Sequence, residues 1–263
     1  VLWNLDMSKI IHRLDGAVRD SLPQGHPFPL PKDYGDFSGE LAAARGGSAL
    51  CDLSGRGLLR AHGGDALSWL NGMITHETAR LAPGESRYAF LLTRQGRLIT
   101  DLACVRSGED ELLIALPADR LAEARDHLDR HLIAENVTLE DATGEYHCVG
   151  YFGRWEGGEL QLAPSACGGE FVELLLSADL AQQRWDELVE AGRRPVGLTA
   201  LNLLRIESGV GWFGVDFDSS NLPAETGRLD QGVSFTKGCY IGQEIVARLE
   251  SQGAPARRLM GIV

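Results

Sequence analysis

Three strand-like segments joined by two short polar turns lie between residues 88 and 116, and they restrict the possible folds most strongly. The segments cover 88–93, 98–106 and 111–116, with turns at 94–96 and 107–110. Turns of this length join neighbouring antiparallel strands, so the segments predict a meander. The following residues, 117–135, carry apolar side chains at helical spacing and charges on the opposite side. A sheet covered by a helix is typical of an α+β fold.

A second strand-rich stretch repeats this arrangement further along the chain. Strands are predicted over 147–152, 159–163 and 170–176, with glycine-rich turns between them. Helices are predicted over 177–191 and 199–208, and each is followed by a glycine. Residues 210–238 show little periodicity, which is typical of a functional or mobile loop. Four prolines within 21–37 predict an extended connector near the start.

Composition excludes several classes of protein. The 263 residues are 44% hydrophobic and 24% charged, which is enough apolar material for one large core or several small ones. A net charge of −12 disfavours direct binding of nucleic acid or an anionic membrane surface. The five cysteines form no Cys-x-x-Cys pair, so we expect neither a disulfide scaffold nor a metal site. Without a transmembrane or signal pattern, the sequence predicts a soluble cytoplasmic protein.

Asp101 lies in the middle strand of the meander. Strand alternation places it on the same face as Ile99, Ala103 and Val105, so its carboxylate is expected to face an apolar layer. A buried carboxylate needs a hydrogen-bond donor, a cation or a ligand nitrogen. Spacing alone leaves two alternatives open, a structural Asp bonded to the backbone or a ligand-binding Asp.

Glu207 ends the predicted helix over 199–208, directly before the turn at Gly209. A carboxylate at this position could accept two hydrogen bonds from a flat amino-heterocycle such as a pterin or guanine. The alternative is an ion pair with Arg205 or Arg228, since such pairs are common near helix ends.

Cys239 lies between Gly238 and Tyr240, two residues after Lys237. A nearby positive charge activates a thiol, and glycine allows a ligand or partner to approach closely, which predicts a reactive thiol in a turn. The alternative is a small buried cysteine, the commoner state of a lone cysteine. His127 and His131 are four residues apart, and a solvated helix face is the preferred interpretation over a metal site.

The string from Lys237 to Glu244, KGCYIGQE, followed by Ile-Val-Ala-Arg248, resembles the signature of the YgfZ family. Other segments resemble the broader superfamily of glycine-cleavage aminomethyltransferases, at 53–58, 96–101, 204–209 and 222–225. The resemblance runs from about residue 45 to the end of the sequence.

The resemblance implies a GcvT/YgfZ-like folate-binding fold with antiparallel sheets covered by helices around a central channel. The implied ligand is tetrahydrofolate or a derivative, with Asp101 near the folate nitrogens and Glu207 holding the pterin. The resemblance also makes Lys237 and Cys239 the leading candidates for catalytic residues, together with Asp101. The residues that shape the loop or support binding are Gly238, Tyr240, Gly242, Gln243 and Glu244.

The predicted domains follow the same resemblance. A discontinuous first α+β domain covers 1–54 and 141–235, a second α+β domain covers 55–140, and 236–263 holds the signature loop and the start of a C-terminal barrel. Residues 257–263 are expected to form the first strand of that barrel, which is expected to be missing or truncated. Thr100 stands where the glycine-cleavage enzymes carry a second acidic residue, so ordinary aminomethyl transfer is not expected.

Three functions are compatible with these features. The first is a tetrahydrofolate-binding factor that supports assembly or repair of iron–sulfur client enzymes, with an indirect effect on tRNA modification. The second is a folate-dependent aminomethyltransferase or demethylase, in which Asp101 would position the reacting folate nitrogen. The third is a non-enzymatic module that binds a client through residues 210–238.

Overall fold

A computed structural model describes residues 30–164, 166–253, 255 and 257–260. Most of the predicted connector over 21–37 lies outside these residues. The helices are α1 (Phe37–Arg45), α2 (Ala66–Met73), α3 (Leu121–Asp129), α4 (Ala178–Glu190), α5 (Leu198–Glu207), α6 (Leu229–Gly232) and α7 (Gln243–Gln252). The strands are β1 (Ala49–Asp52), β2 (Arg56–His62), β3 (Ser86–Leu92), β4 (Leu98–Gly108), β5 (Glu111–Pro117), β6 (Thr138–Asp141), β7 (Tyr146–Phe152), β8 (Leu160–Leu162), β9 (Phe171–Ser177) and β10 (Arg194–Val196).

Two five-stranded sheets form the framework. The first has the order β10-β1-β7-β9-β8, and the second has the order β3-β4-β5-β2-β6. The second sheet is antiparallel throughout and contains the predicted meander. The first sheet departs from the expected antiparallel pattern at one edge, where β1 pairs with β10 in parallel. The chain thus has the predicted α+β fold, and no closed barrel occurs within residues 30–260 as far as they are described.

The two sheets pack face to face around a shared apolar layer. This layer contains side chains of the second sheet such as Ala103 and Val105, together with Cys51, Cys148 and Phe152 of the first sheet. The opposite face of the second sheet is covered by α2 and α3, and the opposite face of the first sheet is covered by α4. Burial of these faces is the main favourable contribution to folding.

Strand β4 contains an irregularity that changes the predicted side-chain pattern. The pairing with β3 shifts after Leu91↔Thr100 to Leu92↔Leu98, which leaves Ile99 as the extra residue of a bulge. Ile99 therefore joins the apolar cluster under the helices, whereas Ala103 lies in the layer between the sheets. The prediction that Ile99 and Asp101 share a face was wrong for Ile99 because alternation fails at a bulge.

Several element boundaries also differ from the predictions. The helix expected over 117–135 begins with a 3₁₀ turn at Ala118–Arg120 and ends at Asp129. The aperiodic segment 210–238 contains the short α6 and a 3₁₀ turn at Pro223–Glu225. Residues 257–260 form no strand; the remainder of the expected strand lies outside the described residues. No described helix is long and apolar enough to cross a membrane.

Gly242 connects the signature segment to the second sheet. It precedes α7 with a left-handed φ of 82°, and a Cβ at this position would lie 2.6 Å from the carbonyl oxygen of Thr93 in the β3–β4 turn. The signature glycine is therefore required both by its backbone conformation and by the close approach of the hairpin.

We expect Gly242→Ala to lower the free energy of unfolding by roughly 2–3 kcal/mol, because it combines backbone strain with a steric clash. Gly214 has the same φ of 82° and open space around its Cβ position. Gly214→Ala should therefore cost only about 1 kcal/mol. Chemical denaturation of both variants measures the difference. Equal losses would show that the contact with the hairpin contributes nothing.

Candidate functional site

A pocket opens at one end of the layer between the two sheets. It has about 550 Å³ of empty space, part of which is open to solvent. Most of its wall is apolar, with side chains from the β1–β2 turn, α5 and the segment after α5. The lining residues that matter below are Leu53, Arg56, Asp101, Leu201, Trp212 and Phe213. Such a pocket with few polar groups is typical of a small-molecule site.

Asp101 supplies the carboxylate of this pocket. The residue is only 4% exposed, and its Oδ2 accepts a hydrogen bond of 2.9 Å from the Tyr88 hydroxyl. Its Oδ1 is buried and has no hydrogen-bond partner among the described residues. Burial raises the pKa of Asp101, while the positive charges of Arg56 and Arg228 act in the opposite direction. An acceptor without a partner at a pocket wall is a place for a ligand donor.

A buried ion pair joins the two sheets beside the pocket. Arg56 of β2 donates to the Glu173 carboxylate of β9 at 3.1 Å, and Glu173 is completely buried. The second carboxylate oxygen of Glu173 accepts from the Ala166 backbone N–H at 2.6 Å. The Ala166 carbonyl in turn accepts from the Trp212 indole N–H at 2.8 Å. This series of bonds fixes one aromatic side of the pocket.

Glu207 lies elsewhere. Its carboxylate accepts a hydrogen bond of 2.5 Å from Arg45 of α1, and both side chains are substantially exposed. Glu207 is not among the residues that line the pocket within the described part of the chain. The structure therefore shows an ion pair, as one sequence alternative held, but with Arg45 rather than Arg205 or Arg228. Sequence distance hid this partner, because Arg45 precedes Glu207 by 162 residues.

Lys237 anchors the signature segment to the end of α2. Its Nζ donates to the backbone carbonyls of Asn71, Ile74 and His76, the last two at 2.7 and 3.0 Å. Three acceptors match the three donors of an ammonium group. The Lys237 Nζ also lies 5.0 Å from the ring centroid of Tyr240. Burial lowers the pKa of Lys237 to about 8, which leaves the ammonium form predominant at neutral pH.

Cys239 is exposed, whereas the other four cysteines are buried. The alternative of a small buried cysteine is therefore wrong for this residue. A Cβ on the preceding Gly238 would meet open space, so the loop leaves room around the thiol. Cys239 does not belong to the pocket lining described above. The structure therefore does not bring Cys239 and Asp101 together in one pocket.

The rest of the signature shapes the start of α7. The Tyr240 backbone N–H donates to the Gln243 side-chain oxygen at 3.1 Å, and Tyr240 packs against the apolar cluster that contains Tyr88 and Phe90. Glu244 is exposed in the first turn of α7. In this structure Gln243 and Tyr240 support the loop, and neither lines the pocket beside Asp101 among the described residues.

The sequence interpretation missed Tyr88, Arg56 and Trp212. Arg56 lies in β2 and Tyr88 in β3, and the alternation of apolar and polar residues in these strands does not distinguish them from ordinary surface or core residues. The prediction that His127 and His131 form a solvated face was wrong for His127, which is 9% exposed. Burial lowers the pKa of His127 to about 4. No group of three or more potential metal ligands occurs among the described residues.

The chain is similar in sequence to known proteins. Residues 24–153 match the family described as GCVT N-terminal domain. The aminomethyltransferase of Rippkaea orientalis is 27% identical over 268 residues, which cover 89% of this chain and 72% of that protein. The aminomethyltransferase of Halothermothrix orenii is 28% identical over 281 residues, covering 95% of this chain and 77% of the relative.

A solved structure shows the same fold. The glycine cleavage system aminomethyltransferase T from Bartonella henselae superposes with a TM-score of 0.77 over 91% of this chain and 72% of its own, at 20% identity. The chain therefore has a GcvT-like fold, and its sequence is similar to those of proteins named aminomethyltransferase. The narrower assignment to the YgfZ family is not confirmed.

We expect Lys237→Met to destabilise the protein by about 2 kcal/mol, because three partly buried carbonyls lose a charged donor. Lys237→Arg should also destabilise it, since a planar guanidinium cannot reproduce three converging bonds from one nitrogen. Arg248→Met removes an exposed positive charge from α7 and should change stability by less than about 0.5 kcal/mol. Thermal unfolding of the three variants provides the measurement. A wild-type stability for Lys237→Met would exclude the anchoring role.

Proposed function

We propose that this protein binds a reduced folate, tetrahydrofolate or a derivative, in the pocket beside Asp101 and acts as an aminomethyltransferase-like protein. The observation that supports the proposal is the Asp101 Oδ1, a buried acceptor without a partner among the described residues at the wall of this pocket. The relatives named aminomethyltransferase support the same class of function.

The chemistry of the pocket suits such a ligand. A pterin is flat and carries N–H donors along its edge, so it needs apolar or aromatic surfaces for its faces and acceptors for its edge. Trp212 and Phe213 supply aromatic surface, and Asp101 supplies the acceptor. Arg205 lies 4.4 Å from the Trp212 ring centroid and Arg120 lies 5.4 Å from that of Phe213. These contacts hold both aromatic side chains before a ligand arrives.

Asp101 would orient the ligand and accept or hold a proton at Oδ1. A reduced folate supplies a ring nitrogen that carries a one-carbon unit. The low exposure of Asp101 strengthens any hydrogen bond it makes to a ligand nitrogen. Participation of Glu207 stays a proposal, because its carboxylate would have to leave Arg45 to reach a ligand in this pocket.

We expect Asp101→Asn to weaken binding of tetrahydrofolate at least about tenfold, because the variant loses the charged acceptor. Glu207→Gln should change the dissociation constant less than about threefold, since its side chain pairs with Arg45. Isothermal titration calorimetry with tetrahydrofolate and its 5-formyl derivative provides the measurement. A larger loss for Glu207→Gln than for Asp101→Asn would place the pterin elsewhere.

Support of iron–sulfur enzymes is the second candidate function. The specific observation in its favour is the exposed Cys239 thiol on a loop that Lys237 anchors. Its sequence context resembles the YgfZ signature, and the proposed clients are iron–sulfur enzymes, including those that modify tRNA. This proposal and folate binding are compatible, because the thiol and the pocket are separate features. Turnover with aminomethyl-lipoyl or methylamine donors would favour a transferase instead.

We expect Cys239→Ser to fold and to bind folate like the wild type, because the thiol is exposed and outside the pocket lining. In a strain that lacks the gene, this variant should fail to restore the activity of cluster-dependent enzymes. Asp101→Asn is the matched variant, because it alters the folate pocket and leaves the Cys239 thiol intact. Full restoration by Cys239→Ser would remove the thiol from the function and leave the folate proposal intact.

A further inference from the structure

Tyr88 reaches Asp101 from the neighbouring strand. On β3, Tyr88 lies opposite Ala103 of β4, so Asp101 is its diagonal neighbour. Tyr88 is 4% exposed, and its hydroxyl donates to Asp101 Oδ2 at 2.9 Å. Its ring packs edge-on against Phe90 with a centroid distance of 5.4 Å. The phenol is therefore fixed in place by packing before any ligand is present.

Arg228 covers the other side of this phenol. It is only 3% exposed, and its guanidinium carbon lies 3.8 Å from the centroid of the Tyr88 ring. The guanidinium donates to the Pro164 carbonyl at 2.9 Å and to the Gln231 side-chain oxygen at 3.2 Å. A cation over an aromatic face is attracted by the ring quadrupole, more strongly when both groups are desolvated. Arg228 thus connects the segment before α6 to the pocket carboxylate through Tyr88.

The direction of the Tyr88–Asp101 bond follows from the chemistry of its partners. Burial and the adjacent Asp101 charge raise the pKa of Tyr88 well above its usual value, so Tyr88 stays protonated and donates. With this bond at Oδ2, Oδ1 is the carboxylate oxygen without a partner among the described residues. An ionised carboxylate accepts hydrogen bonds and cannot donate them.

We propose that Tyr88 and Arg228 are positioning residues that keep Asp101 ionised and fix its Oδ2, so that the pocket selects ligands presenting an N–H donor to Oδ1. The inference rests on the proposed function for the identity of the ligand, but the behaviour of Asp101 can be measured without one. The charged groups that face Asp101 are Arg56 of β2, with its partner Glu173 of β9, and Arg228; Tyr88 is the titratable group on β3.

The direct test follows the Asp101 carboxyl carbon by NMR in protein labelled with ¹³C at aspartate, without ligand. Asp101→Asn identifies the signal. Tyr88→Phe keeps the ring and removes the hydroxyl, and it should raise the proton affinity of Asp101 about tenfold, one pH unit in the titration midpoint. Arg228→Met should move the midpoint in the same direction, and Arg228→Lys, which keeps the charge, should restore most of the wild-type value.

Tyr240→Phe is the matched control, because Tyr240 is a half-buried tyrosine that contacts Lys237. It should leave the Asp101 midpoint unchanged. An unchanged midpoint in both Tyr88→Phe and Arg228→Met would overturn the proposal and leave the two residues as packing only. If Arg228→Met fails to fold, Tyr88→Phe decides alone, and an unchanged midpoint in that variant overturns the proposal.

A second measurement links the positioning residues to the ligand. Binding of tetrahydrofolate should be lost as the pH falls through the midpoint of Asp101, and Tyr88→Phe should move this loss to higher pH by the same interval. A pH profile that does not move while the NMR midpoint does would mean that Asp101 does not contact the ligand. Absence of folate binding to the wild type at every pH would refute the proposed function, whereas the NMR result would still stand.

Discussion

The buried ion pair between Arg56 and Glu173 is the interaction on which the rest of the site depends. It joins β2 of one sheet to β9 of the other at the point where the pocket opens. Taking both charges out of water is costly, and the pair is stable only because further hydrogen bonds satisfy it. Glu173 has such a bond from Ala166, which in turn holds Trp212. Loss of either charge would therefore disturb the sheet contact and the pocket wall together.

The same pair affects the electrostatics of Asp101. Arg56 interacts with two carboxylates. It forms an ion pair with Glu173, and its positive charge lowers the pKa of Asp101. A second arginine, Arg228, lowers the pKa of Asp101 in the same way. Burial thus disfavours the ionised form of Asp101, whereas Arg56 and Arg228, which both have other partners, favour it. Such a balance is common where a protein tunes an acid for ligand binding.

Much of the framework could be predicted from the sequence because it depends on local patterns. The meander over 88–116 follows from alternation and turn residues, and the burial of Asp101 follows from its position in the central strand. Local patterns fail where a bulge interrupts alternation, as at Ile99, or where a helix ends without a strong stop signal, as at Asp129. They also cannot reveal partners far away in sequence, which is why the Arg45–Glu207 pair was missed.

The signature segment illustrates the same limit for function. A lysine two residues before a cysteine suggests an activated thiol, yet the Lys237 ammonium is fully used by three backbone carbonyls. Lysine occurs at only three positions in this arginine-rich chain, 9, 32 and 237. The compact ammonium suits a site where three acceptors converge on one point, and guanidinium does not. Spacing in sequence therefore identified the loop, but it could not show that the lysine also anchors the loop to these carbonyls.

Both ends of that loop are attached to the same place. Lys237 binds the carbonyls at the end of α2, and the Ile241 backbone N–H donates to the Gly72 carbonyl at 3.2 Å. Cys239 lies midway in the five-residue loop 237–241, and both ends of this loop are bound to the end of α2. A cysteine in a short loop that is anchored at both ends cannot move far from the body of the protein, unlike one in a long mobile loop. Any molecule that reacts with it must dock against the body of the protein, so shape complementarity around α2 would decide which partners gain access.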